Sequence, residues 1–106
     1  MTEPVNFRSI DAIRKAVTAS GSHYFEPDTM RFFRSRLSST VYGGRFFVTS
    51  EQDPSGYRAY SVREVHRLTD GTLSVRSAPG TEFMQFPTRH AAIARAREIA
   101  RRDVGA

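Results

Sequence analysis

A chain of 106 residues has the length of one domain, with room for one core and not two. Hydrophobic residues at 39% and charged residues at 25% exclude wholesale disorder, and the absence of cysteine excludes disulfides and thiol chemistry and fits a reducing cytoplasm. The formal charge of +5 rests on fifteen Arg and the single Lys15, and an Arg-rich surface attracts nucleic acid, anionic membrane or acidic proteins without distinguishing them.

No charged-then-apolar leader opens the chain, and no apolar run is long enough to span a membrane. Residues 1–8 carry Pro4 and few periodic apolars, and are expected to be flexible until Phe7. Ser9 is a good N-cap for a helix running to about Ser20. Ile10, Ile13 and Val17 form its buried stripe, Arg14 and Lys15 face away, and Gly21 stops it. The stretch His23–Leu37 then gathers four aromatics, one Met and three Arg. Pro27 suits the first turn of a second helix, with Glu26 at the N-cap and Asp28 complementing the dipole. Met30, Phe33 and Leu37 share one face of that helix, and Phe32 points elsewhere.

Strands follow. Val41-Tyr42 is extended, and Gly43-Gly44 breaks or bulges it. Arg45–Ser50 places Phe46 and Val48 on one face and Phe47 and Thr49 on the other, the pattern of an interior strand. Asp53-Pro54-Ser55-Gly56 is a turn with Pro preset at its second position. Tyr57–Leu68 is a long strand, Asp70-Gly71 signals a type I′ hairpin, Leu73–Ser77 returns, and Glu82–Phe86 is a last strand. Thr88 caps a helix from Arg89 to about Arg102, whose inward face is Ala92, Ile93, Ala96, Ile99 and Ala100. The expected fold is α+β in a single domain: two N-terminal helices, a three- to four-stranded antiparallel sheet, and a C-terminal helix packed on one sheet face.

The type I′ hairpin sets a register. With Asp70 and Gly71 as the loop, Leu68 pairs with Leu73 and His66 with Val75. Tyr60, Val62, His66 and Leu68 then share a core face with Leu73 and Val75, while Arg63, Arg67 and Arg76 form a basic platform on the other. An Arg-bearing sheet face can contact phosphates and base edges.

Catalytic and metal chemistry find little support. His23, His66 and His90 lie in different elements, with no i, i+4 pair and no Cys to complete a metal site. No glycine-rich phosphate loop and no nucleophile elbow is present. The chain is therefore expected to be a binding protein and not an enzyme, with no cofactor and no metal.

Two resemblances bear on what it binds. His-Tyr-Phe-Glu-Pro-Asp-Thr-Met-Arg-Phe-Phe-Arg-Ser-Arg, with Phe47-Val48-Thr49-Ser50-Glu51 and Tyr60-Ser61-Val62-Arg63, resembles a family of small uncharacterised proteins of actinobacterial phages over residues 23–100. That likeness implies a phage or prophage accessory protein acting in the cytoplasm of the bacterial host. From Gly56 onward, the hairpin, the strand ending Phe86-Pro87-Thr88 and the Ala-rich helix resemble the sheet-type arm-binding domains of phage integrases. This second likeness implies DNA contact through Arg63, Arg67 and Arg76. The alternative is a host-protein-binding module that docks through Phe32, Arg31 and Arg36 of the 23–37 segment. Nucleic acid and host protein both remain open as partners, a membrane is not expected, and the oligomeric state is left open.

Overall fold

The computed structural model describes residues 5–32, 35–37, 40–82 and 85–105. Within them the order is α1 (Ile10–Ala19), α2 (Pro27–Phe32), β1 (Arg36–Leu37), β2 (Phe46–Gln52), β3 (Arg58–Arg67), β4 (Leu73–Ser77) and α3 (Arg89–Gly105). The four strands form one antiparallel sheet whose spatial order is the chain order. The α+β class expected from the sequence is the class observed, with four strands and the C-terminal helix on the sheet.

Local chemistry explains the helices. The Ser9 hydroxyl accepts the Ala12 N–H at 3.1 Å, satisfying one of the orphan donors of the first turn of α1. Thr88 does the same for α3 by accepting from Ala91 N–H at 3.1 Å. Pro27 opens α2, where its missing N–H costs nothing.

Packing then uses both faces of the sheet. Ile10, Ile13 and Val17 of α1, joined by Phe25, bury Phe47, Val65 and Leu73 on one face. Ala92, Ala96, Ile99 and Ala100 of α3 bury Phe46, Val48 and Val62 on the other. This is why β2 carries apolar side chains in both directions, and why five of its residues in a row are buried. The small alanines bring α3 close to the chain. A Cβ on Gly43 would stand 2.9 Å from the Ala100 Cβ, so this crossing admits only glycine.

The last hairpin departs from the expected register by one residue. Arg67 pairs with Leu73, Val65 with Val75, Glu64 with Arg76 and Arg63 with Ser77. The loop has three residues, Thr69, Asp70 and Gly71, not two. The Leu68 N–H donates to the Thr72 carbonyl at 2.8 Å, and the Gly71 N–H to the Leu68 carbonyl at 2.9 Å, with Gly71 at φ 91°. This is a type I turn closed by a left-handed glycine, which accepts Asp-Gly as readily as type I′ does. The preceding hairpin is built identically: Asp53 N–H donates to the Tyr57 carbonyl and Gly56 N–H to the Asp53 carbonyl. A shift of one residue exchanges faces. Leu73 and Val75 therefore lie on the α1 side with Arg63, Val65 and Arg67, and Val62 and His66 lie on the α3 side. Leu68, expected in the core, is 43% exposed.

Two smaller expectations also change. Leu37 does not continue the stripe of α2 but pairs with Thr49 as part of β1, because the helix ends at Phe32; Phe33 lies outside the described residues. Of the strand expected over Glu82–Phe86, the described residues show a bridge in which Phe86 exchanges both backbone hydrogen bonds with Tyr60; positions 83–84 lie outside the described residues. The Phe7 N–H donates to the Gly44 carbonyl at 2.6 Å, and Val5 and Phe7 pack on the α1 core; residues 1–4 lie outside the described residues.

Candidate functional site

The basic platform expected on the hairpin is divided by the register. Arg63 and Arg67 lie on the α1 face and Arg76 on the α3 face. Each is also engaged within the chain. The Arg63 guanidinium donates to Thr49 Oγ1 at 3.3 Å, to Ser77 Oγ at 3.3 Å and to Glu51 Oε1 at 3.2 Å. Arg76 Nε donates to Glu64 Oε1 at 2.7 Å. Arg67 Nη1 donates to the Gly71 carbonyl at 2.8 Å. These groups build the sheet more than they offer themselves to a ligand.

Two polar clusters result. On the α3 face Glu64, only 2% exposed, is held between Arg76 and Arg45, whose Nε lies 3.1 Å from Glu64 Oε2. A buried carboxylate persists only with such partners. On the same face His66 is held below the ordinary histidine range by partial burial and then by the Arg76 charge, with Glu64 opposing. On the α1 face Tyr24 approaches Thr49 and Arg63. Burial raises its hydroxyl above the ordinary tyrosine value, Glu51 adds to this, and the Arg63 charge and the hydrogen bonds from Thr49 and Arg63 oppose it.

The side chains expected to dock a protein sit at the other end of the sheet. Arg31 lies on α2, its Nη1 3.5 Å from Asp28 Oδ1. Arg36 is exposed on β1. The side chain of Phe32 lies outside the described residues.

Arg36 leads to the feature that sequence reasoning missed. Arg36, Ser50 and Tyr60 form one transverse row across β1, β2 and β3, all on the α3 face. Helix α3 begins only at Arg89, and its buried residues cover the sheet further along, over Phe46, Val48 and Val62. The row beyond is left open as a recess of about 320 Å³. Ser50, Tyr60 and Val48 line it together with Arg36, Arg58 and Arg89. Arg58 Nη1 donates to the buried Ser50 hydroxyl at 2.8 Å, which fixes that guanidinium at the recess. A shallower groove adjoins it, sharing Arg36 and Arg58 and adding Arg31, Ser35 and Gln52.

The lining of this corner is dominated by arginine, and Asp28, 3.5 Å from Arg31 Nη1, stands beside it. Among the described residues lining the two concavities there are four Arg and no carboxylate. The first turn of α3 adds the positive end of a helix dipole with no acidic residue to neutralise it. Arg58 and Arg89 gave no signal in the sequence beyond their positions, one just after a turn and one just after a cap. Among the described residues no group of three or more His, Asp or Glu could hold a metal ion, and no helix is long and apolar enough to cross a membrane.

Residues 9–97 match the model of a family of unknown function, DUF7447. No curated protein and no solved structure matches the chain.

Proposed function

Because the chain belongs to the DUF7447 family, whose function is unknown, its role has to be read from its own geometry, and we propose that it is a nucleic-acid-binding module. The observation that carries this reading is the corner of Arg31, Arg36, Arg58 and Arg89, with no carboxylate among the described residues lining it. A guanidinium holds a phosphate through a planar pair of N–H donors. Several of them along adjoining concavities suit a ligand that repeats its negative charge, as a phosphodiester backbone does. The net charge of +5 adds long-range attraction. The reading keeps the nucleic acid expected from the sequence and moves its contact from the hairpin to the β1 edge.

The test is a fluorescence-anisotropy titration of labelled oligonucleotides across a salt series. Binding is expected to weaken steeply with salt. Arg36→Gln, Arg58→Gln and Arg89→Gln together flatten the slope by roughly 0.7–0.9 for each phosphate no longer neutralised. Arg102→Gln, whose guanidinium already holds Glu98 at 2.6 Å, changes it little. Absence of binding to any oligonucleotide at low salt would end the proposal.

A further inference from the structure

We infer that the recess receives one nucleotide unit of a single strand, phosphate against the arginines and base against Tyr60, so that the protein prefers single-stranded to duplex nucleic acid. This rests on the nucleic-acid reading above and goes beyond it in three respects.

The first is size. At about 320 Å³ the recess lies at the small end of ligand pockets, which span about 300–1,000 Å³. That volume matches one nucleotide unit and not a base-paired segment, which holds two or more.

The second is the lining. A site built only for phosphate would be polar throughout. This one combines Arg36, Arg58 and Arg89 with Val48 and Tyr60. In a duplex the bases are stacked and show a protein only their edges, so no base face is free to fill the apolar part of the recess. In a single strand the base can splay out onto an aromatic side chain while its phosphate meets a guanidinium. Among the described residues of this lining Tyr60 is the aromatic one; its side chain packs partly against the α3 core, and its backbone is fixed from both sides, by Ser50 of β2 and by the bridge to Phe86.

The third is continuity. The recess opens toward the groove of Arg31, Arg36 and Arg58, because Arg36 and Arg58 border both. A strand with one nucleotide in the recess therefore has a basic path for the next phosphates. A free mononucleotide would use the recess alone.

The experiment compares a labelled 12-nucleotide single strand, its blunt duplex and an unlabelled nucleoside monophosphate, all with the full chain at one low salt concentration. The expected result is at least tenfold tighter binding of the single strand than of the duplex. Tyr60→Leu, which keeps an apolar side chain at a partly buried position, should lower single-strand affinity about tenfold and leave duplex affinity unchanged. Circular dichroism confirms that the variant is folded. If it is not, Arg36→Gln at the exposed β1 position takes its place and should weaken the single strand more than the duplex. Equal affinity for strand and duplex overturns the inference while the nucleic-acid reading stands. Binding of neither overturns both. Saturation by the monophosphate with no gain from added nucleotides overturns the strand.

Discussion

Arg67 stands opposite Leu73 across the last hairpin, and both side chains leave the sheet on the α1 face. Leu73 is buried with Ile10, Ile13 and Val17. Arg67 tolerates the same face because it lies at the end of β3, where its Nη1 can reach the Gly71 carbonyl of the loop. The stem lies along apolar surface and the charged head finds an acceptor at the rim. Arg63 meets the same demand differently, by pairing with Glu51 and the hydroxyls of Thr49 and Ser77. The accommodation of Arg67 is incomplete, since its Nε is buried without a hydrogen-bond partner among the described residues.

The three-residue loop makes a first prediction. Gly71 at φ 91° has nothing within 4 Å of where a Cβ would stand, so substitution there carries backbone strain without a clash. Gly71→Ala should cost about 1–2 kcal/mol in urea unfolding. Thr72→Val should cost less, since the Thr72 N–H still donates to Asp70 and only the hydroxyl's own hydrogen bond to that carboxylate is removed. Equal losses at the two positions would show that the left-handed residue is not Gly71.

Gly43 provides the contrasting case. It too has positive φ, at 59°, but a Cβ there would meet the Ala100 Cβ at 2.9 Å, closer than carbon atoms tolerate. Gly43→Ala should therefore destabilise more than Gly71→Ala, because the strain of about 1–2 kcal/mol is joined by a displacement of α3. Measured losses in the reverse order would place α3 further from the sheet than described.

The buried carboxylate predicts an asymmetry among acidic residues. Glu64→Gln leaves Arg45 and Arg76 facing a neutral group at a site 2% exposed. A loss of about 3 kcal/mol is expected, the low end for breaking a buried pair, because Arg76 is half exposed. Glu98→Gln, at two partly exposed ion pairs on α3, should cost about 1 kcal/mol or less. Comparable losses for the two variants would mean that Glu64 is solvated.

The two hairpin aspartates predict a pH dependence. Asp53 is held below its ordinary value first by the Ser55 hydroxyl, and Asp70 first by that of Thr72. These bonds favour the ionised carboxylate, so the folded chain binds each proton less readily than the unfolded chain. Their contribution is complete above the ordinary value of 3.8 and disappears as pH falls through the lowered ones. Carboxyl carbon shifts followed by NMR should give both midpoints below 3.8. Ser55→Ala should raise the midpoint of Asp53 and leave that of Asp70 in place.

Tyr24 acts at the alkaline end with the opposite sign. Burial raises its hydroxyl, so the folded state holds that proton more tightly than the unfolded state does. The resulting stability is complete below the ordinary value of 10.0 and is lost as pH rises through the raised one. Ultraviolet titration of phenolate should show one tyrosine ionising late, and Tyr24→Phe should remove that step. A late step that survives in Tyr24→Phe would assign it to another tyrosine.

Much of the fold could be read from the chain because its causes are local. Ser9 and Thr88 cap helices through bonds that reach three residues. The stripe of Ile10, Ile13 and Val17 and the small residues Ala92, Ala96 and Ala100 are spaced by the helical period alone. The two-faced burial of Phe46, Phe47, Val48 and Thr49 follows from strand alternation. The turns at Asp53-Pro54-Ser55-Gly56 and near Asp70-Gly71 were legible from their residues, but Asp-Gly fits a two-residue and a three-residue loop equally. Which loop forms depends on which apolar residues the helices cover. With α1 on Phe47, Val65 and Leu73, and α3 on Phe46, Val48 and Val62, only the three-residue loop buries Leu73. That one residue of register sends Arg76 to a different face from Arg63 and Arg67, and no local signal in the sequence contains it. The basic recess is non-local in the same way. Arg36, Arg58 and Arg89 are distant in the chain, and they meet because β1, β2 and β3 set Arg36, Ser50 and Tyr60 in one row and α3 begins just beyond it.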